Sequence, residues 1–135
     1  MIKLIIGKKG SGKTKKLLDL VNEATANSLG NVVCIEKGDT LTFSVTHKAR
    51  LIDADAFGIT GYGEYYGMVS GIKAGNHDVT HIFGDATLRI GNRKYDELVA
   101  FLERVSKIDD VEFLFTVSAD KEELPKKLFD IAEIV

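Results

Sequence analysis

The sequence predicts an α/β fold of three layers, with helices on both sides of a mostly parallel central sheet. Three observations predict it. Four short apolar runs have the continuous character of strands buried on both faces: Ile2–Ile6 (IKLII), Asn31–Glu36 (NVVCIE), residues 79–83 (VTHIF) and residues 111–117 (VEFLFTV). Amphipathic stretches of helical spacing stand between them. The first run passes directly into GKKGSGKT at residues 7–14, a glycine-rich junction between strand and helix. Strands that alternate with helices call for a parallel sheet covered by those helices.

Each element has its own reason. Ile2–Ile6 is too short for a buried helix and reads as the first strand. Residues 13–26 place Leu17, Leu18, Val21 and Ala24 on one helical face, with Asp19 and Glu23 turned away. Asn31–Glu36 is rich in β-branched residues and reads as a second buried strand. Residues 40–53 alternate, with Leu41, Phe43 and Val45 and then Leu51 and Ile52, and read as a short hairpin or meander. A helix is expected over 62–74 and a strand over 79–83, with a short extended piece at 88–90. Residues 94–107 form an amphipathic helix with Tyr95, Leu98, Val99, Leu102 and Val105 inward. A strong strand follows at 111–117, then a helix over 121–129 and a last strand at 131–135.

The 135 residues fit a single domain, 1–135. A net charge of −2 gives no global reason to expect nucleic acid or a membrane surface as partner. No run approaches the roughly 20 apolar residues of a membrane span. No leader pattern is apparent, so a cytoplasmic protein is expected. Cys34 is the one cysteine, which excludes an intrachain disulfide; its setting, VVCI, suits a small buried hydrophobe. His47, His77 and His81 lack metal-ligand spacing.

Residues 7–14 satisfy G-x-x-x-x-G-K-[ST] at every fixed position, with a strand before and a helix after. Gly7, Gly10 and Gly12 let the backbone curl so that successive N–H groups, with that of Ser11, point into one concavity. The following helix adds its unpaired N–H groups and the positive end of its dipole. Lys13 would then reach the β- and γ-phosphates of a nucleotide, and the Thr14 hydroxyl would ligate Mg2+. Lys8 and Lys9 add phosphate attraction or are merely solvated. A phosphate loop works with an acidic residue at the end of a buried strand. Asp85, after VTHIFG, is the candidate to hold Mg2+ opposite Thr14; otherwise it caps a turn.

These residues resemble those of the P-loop NTPases over most of the chain. The order of elements resembles the additional-strand branch that includes RecA-like ATPases. The chain is also similar to short bacterial ATP-binding proteins, some of which carry a twitching-motility ATPase label. The resemblance implies that another strand, here residues 111–117, lies between the phosphate-loop strand and the acidic strand. It implies a polar γ-phosphate sensor at that strand's end, where Thr116 and Ser118 stand. It also implies catalytic roles for Lys13 and Asp85. The branch often has a glutamate after the acidic residue to orient the attacking water, and this chain has Ala86. Some RecA-like members draw that glutamate from the end of the second strand. Glu36 stands there, with Asp39 nearby, as a catalytic candidate or an ordinary salt-bridging residue.

Other features are weaker. Gly63, Gly67, Gly71 and Gly75 recur every four residues, for tight packing on the sheet or for self-association. Tyr62, Tyr65 and Tyr66 stack on a base or partner, or pack internally. Arg89 and Arg93, with Arg50, are candidates to stabilise charge on a transferring phosphoryl group. The guanine-specifying N-K-x-D pattern is absent, so adenine is the default base. The expected ligands are ATP and Mg2+, the expected function is slow or partner-stimulated ATP hydrolysis, and the expected partner is a second copy of the chain or another protein. The alternatives are a small-molecule kinase and a non-hydrolysing nucleotide sensor. Nucleic acid is not indicated.

Overall fold

The structure is a computed structural model, and it describes residues 1–41 and 45–135. Six strands form one sheet: β1 (Ile2–Ile6), β2 (Asn31–Glu36), β3 (Ala49–Asp53), β4 (Val79–Gly84), β5 (Glu112–Val117) and β6 (Glu133–Ile134). Their order is β3-β2-β4-β5-β1-β6, and every neighbouring pair is parallel. The helices are α1 (Lys13–Asn27), α2 (Tyr62–Gly75), α3 (Thr87–Ile90), α4 (Tyr95–Val105) and α5 (Leu128–Ile131). No helix among the described residues is long and apolar enough to cross a membrane.

Both faces of the sheet are apolar because successive side chains alternate between them. Val33 and Ile35 of β2, with Phe113 and Phe115 of β5, join Tyr65, Val69, Leu98 and Leu102 in one core. Val32, Cys34 and Leu114, on the same strands, join Leu17 and Val21 of α1 in the other. A strand that serves two cores must be apolar at nearly every position, which is why these runs read as continuous rather than alternating.

Four expectations change on contact with the structure. Ala49–Asp53 pairs parallel to β2, Val32 opposite Ala49, and so is not half of a hairpin. Alternation reports which face is buried and says nothing of strand direction; Phe43 lies outside the described residues. Residues 88–90 belong to the one-turn helix α3, entered through Ala86 in the left-handed region at φ 55°. The helix expected over 121–129 is divided into a 3-10 turn, Lys121–Glu123, and α5. Pro125 is the cause: it lacks an N–H and drives Leu124 into extended backbone, ψ 142°. Finally, the glycines of α2 face open space, and a Cβ on any of the four would meet no atom within 4 Å. The buried residues of α2 are instead Tyr62, Tyr65 and Val69.

One glycine has the opposite setting. A Cβ on Gly84, at the end of β4, would lie 2.2 Å from the Tyr65 hydroxyl and 2.7 Å from the Phe115 ring. Gly84→Ala is therefore expected to destabilise the fold by about 1–3 kcal/mol through overpacking. Gly67→Ala fills open space within a helix and is expected to stabilise by about 0.5–1 kcal/mol. Urea denaturation of the two variants checks both signs; equal effects would contradict the packing described.

Candidate nucleotide site

A sheet whose strands are all parallel brings every carboxyl end to one edge. The loops after β1, β4 and β5 therefore open side by side. The chain runs from β1 to strands on one side of it and returns to β6 on the other. Such a reversal leaves a crevice at the carboxyl ends, the usual ligand position in open parallel sheets. A cavity of about 610 Å³ lies there, lined by Lys9, Gly10 and residues 12–15, by Asp85, Ala86, Leu88 and Arg89, and by Arg93 and Ser118. That volume is within the range of small-molecule sites, roughly 300–1,000 Å³.

The loop over 7–12 has the backbone its glycines were expected to allow. Gly7, Gly10 and Gly12 have φ of 153°, 83° and 87°. At Gly7 space is also limiting: a Cβ would sit 2.6 Å from the Ser11 hydroxyl. Gly12 is the N-cap of α1 and makes no side-chain cap. The first turn holds Lys13, Lys15 and Lys16 and no acidic residue, so positive charge is gathered at the positive end of a helix dipole. That arrangement is locally unfavourable and suits an anion.

Lys13 is buried, 8% exposed, and its ammonium donates to the Lys8 carbonyl at 2.8 Å. Burial holds its pKa below the usual lysine value, and the Asp85 carboxylate offsets part of that shift. Thr14 and Asp85, 71 positions apart in sequence, meet: Thr14 Oγ1 donates to Asp85 Oδ2 at 3.2 Å. Thr116 Oγ1 donates to the other oxygen, Oδ1, at 2.5 Å and accepts from the Ala86 N–H at 3.1 Å. The Asp85 N–H donates to the Ile35 carbonyl at 2.8 Å. Asp85 is thus held from α1, β2 and β5. The pair of hard oxygen donors, Thr14 and Asp85, fits Mg2+, which keeps most of its shell as water and phosphate oxygen and needs only one or two protein ligands. Among the described residues no group of three or more His, Cys, Asp or Glu is placed to hold a metal.

Other sequence candidates divide. Ser118 lines the cavity, whereas Thr116 is engaged in fixing Asp85. Arg89 and Arg93 both line it. Glu36 does not: it is 2% exposed and accepts from the Leu41 N–H at 3.2 and 3.3 Å and from the Thr40 hydroxyl at 3.1 Å. The tyrosines pack internally. Tyr65 stacks on Phe101 at 5.0 Å, Tyr62 lies 5.2 Å from the same ring, and Arg104 covers Tyr66 at 3.8 Å. His81 is bonded to Thr80 at 2.8 Å and Glu112 at 3.0 Å, below the Phe83 ring. Burial and the charges of Asp85 and Glu36 push the Cys34 thiol up to about 12, so it is an inert core residue.

Two features escaped the sequence reading. One is Thr116 as the group that orients Asp85. A polar residue ending an apolar strand was the available signal. The other is a clamp on the segment that carries the arginines. Tyr62 donates to the Asn92 carbonyl at 2.7 Å, and its ring fills the place where a Gly91 Cβ would be, 2.1 Å away. The Gly61 N–H donates to the Ile90 carbonyl at 2.7 Å. Comparison with models of known protein families and with curated proteins finds no match.

The environment of Glu36 has a pH consequence. Burial holds its carboxyl above the usual carboxylate range, and the bonds from Leu41 and Thr40 offset part of the shift. The native state then takes up a proton more readily than the unfolded chain. This contribution to stability is present at low pH and lost as pH rises through the raised pKa. Glu36→Gln keeps an oxygen acceptor without the ionisation. Thermal unfolding between about pH 4 and about pH 8 should show the native chain losing stability relative to Glu36→Gln as pH rises. A difference independent of pH would contradict the burial of a charge there.

Proposed function

We propose that this chain binds a nucleoside triphosphate with Mg2+, ATP by default, through residues 7–14, and hydrolyses it slowly or only when a partner or a second copy stimulates it. The observation that carries the reading is the meeting of Thr14 and Asp85 at 3.2 Å, beside Lys13 and at the mouth of a cavity of about 610 Å³. A glycine loop alone would be a turn. A glycine loop whose following hydroxyl meets the carboxylate from a distant strand has the parts a phosphate–metal site requires. The placement of β5 between β1 and β4 supports the additional-strand branch of P-loop NTPases as its family.

Within this reading Lys13 exchanges the Lys8 carbonyl for phosphate oxygens, and the N–H groups of the loop take the remaining phosphate charge. Thr14 and Asp85 would hold Mg2+, which would supply neutralisation of charge on the transferring phosphoryl group. Slow turnover follows from what surrounds the acceptor water. Among the described residues Asp85 is the one carboxylate lining the cavity, and Thr14 and Thr116 occupy its two oxygens. Glu36 is held at Leu41, and a stimulating partner would have to free it. The same shortage of a water-orienting base favours a second reading, transfer of the γ-phosphoryl group to a small acceptor.

Calorimetric titration of ATP–Mg2+, ADP and GTP, with phosphate release followed on the same sample, tests this. ATP–Mg2+ should bind, and unstimulated release should stay below about one per second. Lys13→Ala should keep its fold and bind ATP at least a hundredfold more weakly, roughly 2.8 kcal/mol. Unchanged affinity in the folded variant would sink the assignment.

A further inference from the structure

The cavity is more cationic than a triphosphate site requires. Among the described residues Lys9, Lys13, Lys15, Arg89 and Arg93 line it against a single carboxylate, Asp85. Asp19 pairs with Lys15, which leaves four cations, and a triphosphate that carries Mg2+ has too much of its charge already neutralised to balance them together with Asp85. The cations also form two walls. The lysines belong to the loop and to the first turn of α1. The arginines belong to the segment between β4 and α4, which begins at Asp85. Neither arginine is in an ion pair among the described residues, whereas Lys8, Lys15 and Lys94 nearby are paired with Asp120, Asp19 and Glu97.

The arginine wall is also held in place. Arg89 lies in a one-turn helix whose last residue, Ile90, is fixed by the bond from the Gly61 N–H. Arg93 follows Asn92, whose carbonyl accepts from Tyr62 at 2.7 Å. Gly91, between them, is seated against the Tyr62 ring so closely that no side chain fits. Two long flexible side chains thus rise from a backbone anchored on α2. Guanidinium groups recognise planar and tetrahedral oxyanions through paired N–H donors, a geometry that lysine does not offer.

We propose that Arg89 and Arg93 form a subsite for a second oxyanion, a phosphate or carboxylate group bound at the same time as the nucleotide. The site rests on the nucleotide reading for its first ligand and not for its second. A ligand bearing such a group would lie against the γ-phosphate side of the cavity, as the acceptor of a transfer or as an activating anion. The arginines then select the second ligand, and the loop selects the first.

Inorganic phosphate is the probe, titrated into protein saturated with Mg2+ and the β,γ-imido analogue of ATP, so that the γ-phosphate position is already filled. Phosphate is expected to bind one to one. Arg93→Gln and Arg89→Gln should weaken phosphate at least tenfold and the analogue less than threefold. Arg93→Lys should also lose phosphate, because charge without the paired donors is not enough; its thermal midpoint, matched to the native chain, verifies that it is folded. Failure of phosphate to bind over the analogue overturns the proposal. So does an equal loss of analogue and phosphate in the folded arginine variants, which would give both groups to the nucleotide itself. If the analogue does not bind the native chain, the nucleotide reading fails by itself. Phosphate binding that Arg93→Gln abolishes and Lys13→Ala spares would still uphold the subsite, and its loss in both would remove it.

Discussion

The Asp85 carboxylate ties together elements that are built far apart in the chain. One oxygen takes the Thr116 hydroxyl at the end of β5, and the other takes Thr14 in the first turn of α1. Its backbone N–H is bonded to β2. Everything else about the site depends on this joint. The loop after β1 faces the end of β4 only because β5 spaces the two strands. Thr116 then bridges the gap that the spacing creates. Charge-assisted bonds of this kind are stronger than neutral ones. The same carboxylate also lies close enough to Lys13 to offset part of the effect of its burial.

The loop and α1 show the cost of such a site. Helices gain from acidic residues in the first turn, and α1 has lysines there. Gly12 makes no side-chain cap, where serine or aspartate would contribute about a few tenths of a kcal/mol over glycine. Three glycines hold left-handed or related backbone. Leu17 and Val21, both fully buried, hold the helix against these losses. Local rules fail together at one end of one helix, which is where a functional constraint is expected to override them.

What the sequence made legible was whatever has a short-range signature. The strands serving two cores were legible because both faces demand apolar residues, and α1 and α4 because their inward residues keep helical spacing. The glycine loop between β1 and α1 was legible because its spacing is contiguous. The pairing of Thr14 with Asp85 rested on a chemical expectation that the strand order then satisfied. Other features left no such trace. β3 runs parallel to β2, a direction that alternation does not report. The setting of Glu36 depends on a turn at 40–41 that reaches back to it. The clamp of Tyr62 on Gly91 joins residues whose separate patterns, an aromatic in a helix and a glycine in a loop, are each unremarkable.

The outward glycines of α2 have a consequence beyond packing. Four of its fourteen residues contribute no side chain and favour the unfolded backbone, so the helix persists through its inward anchors, Tyr62 and Tyr65 above all. Tyr62 is at the same time the grip on the segment that carries Arg89 and Arg93. Helix order and segment position are therefore thermodynamically linked. Anything that steadies the segment steadies the first turn of α2, and fraying of that turn releases the segment by the same free energy. A weak helix becomes a reporter of what happens at the edge of the sheet, legible in the exchange of its amide hydrogens with solvent.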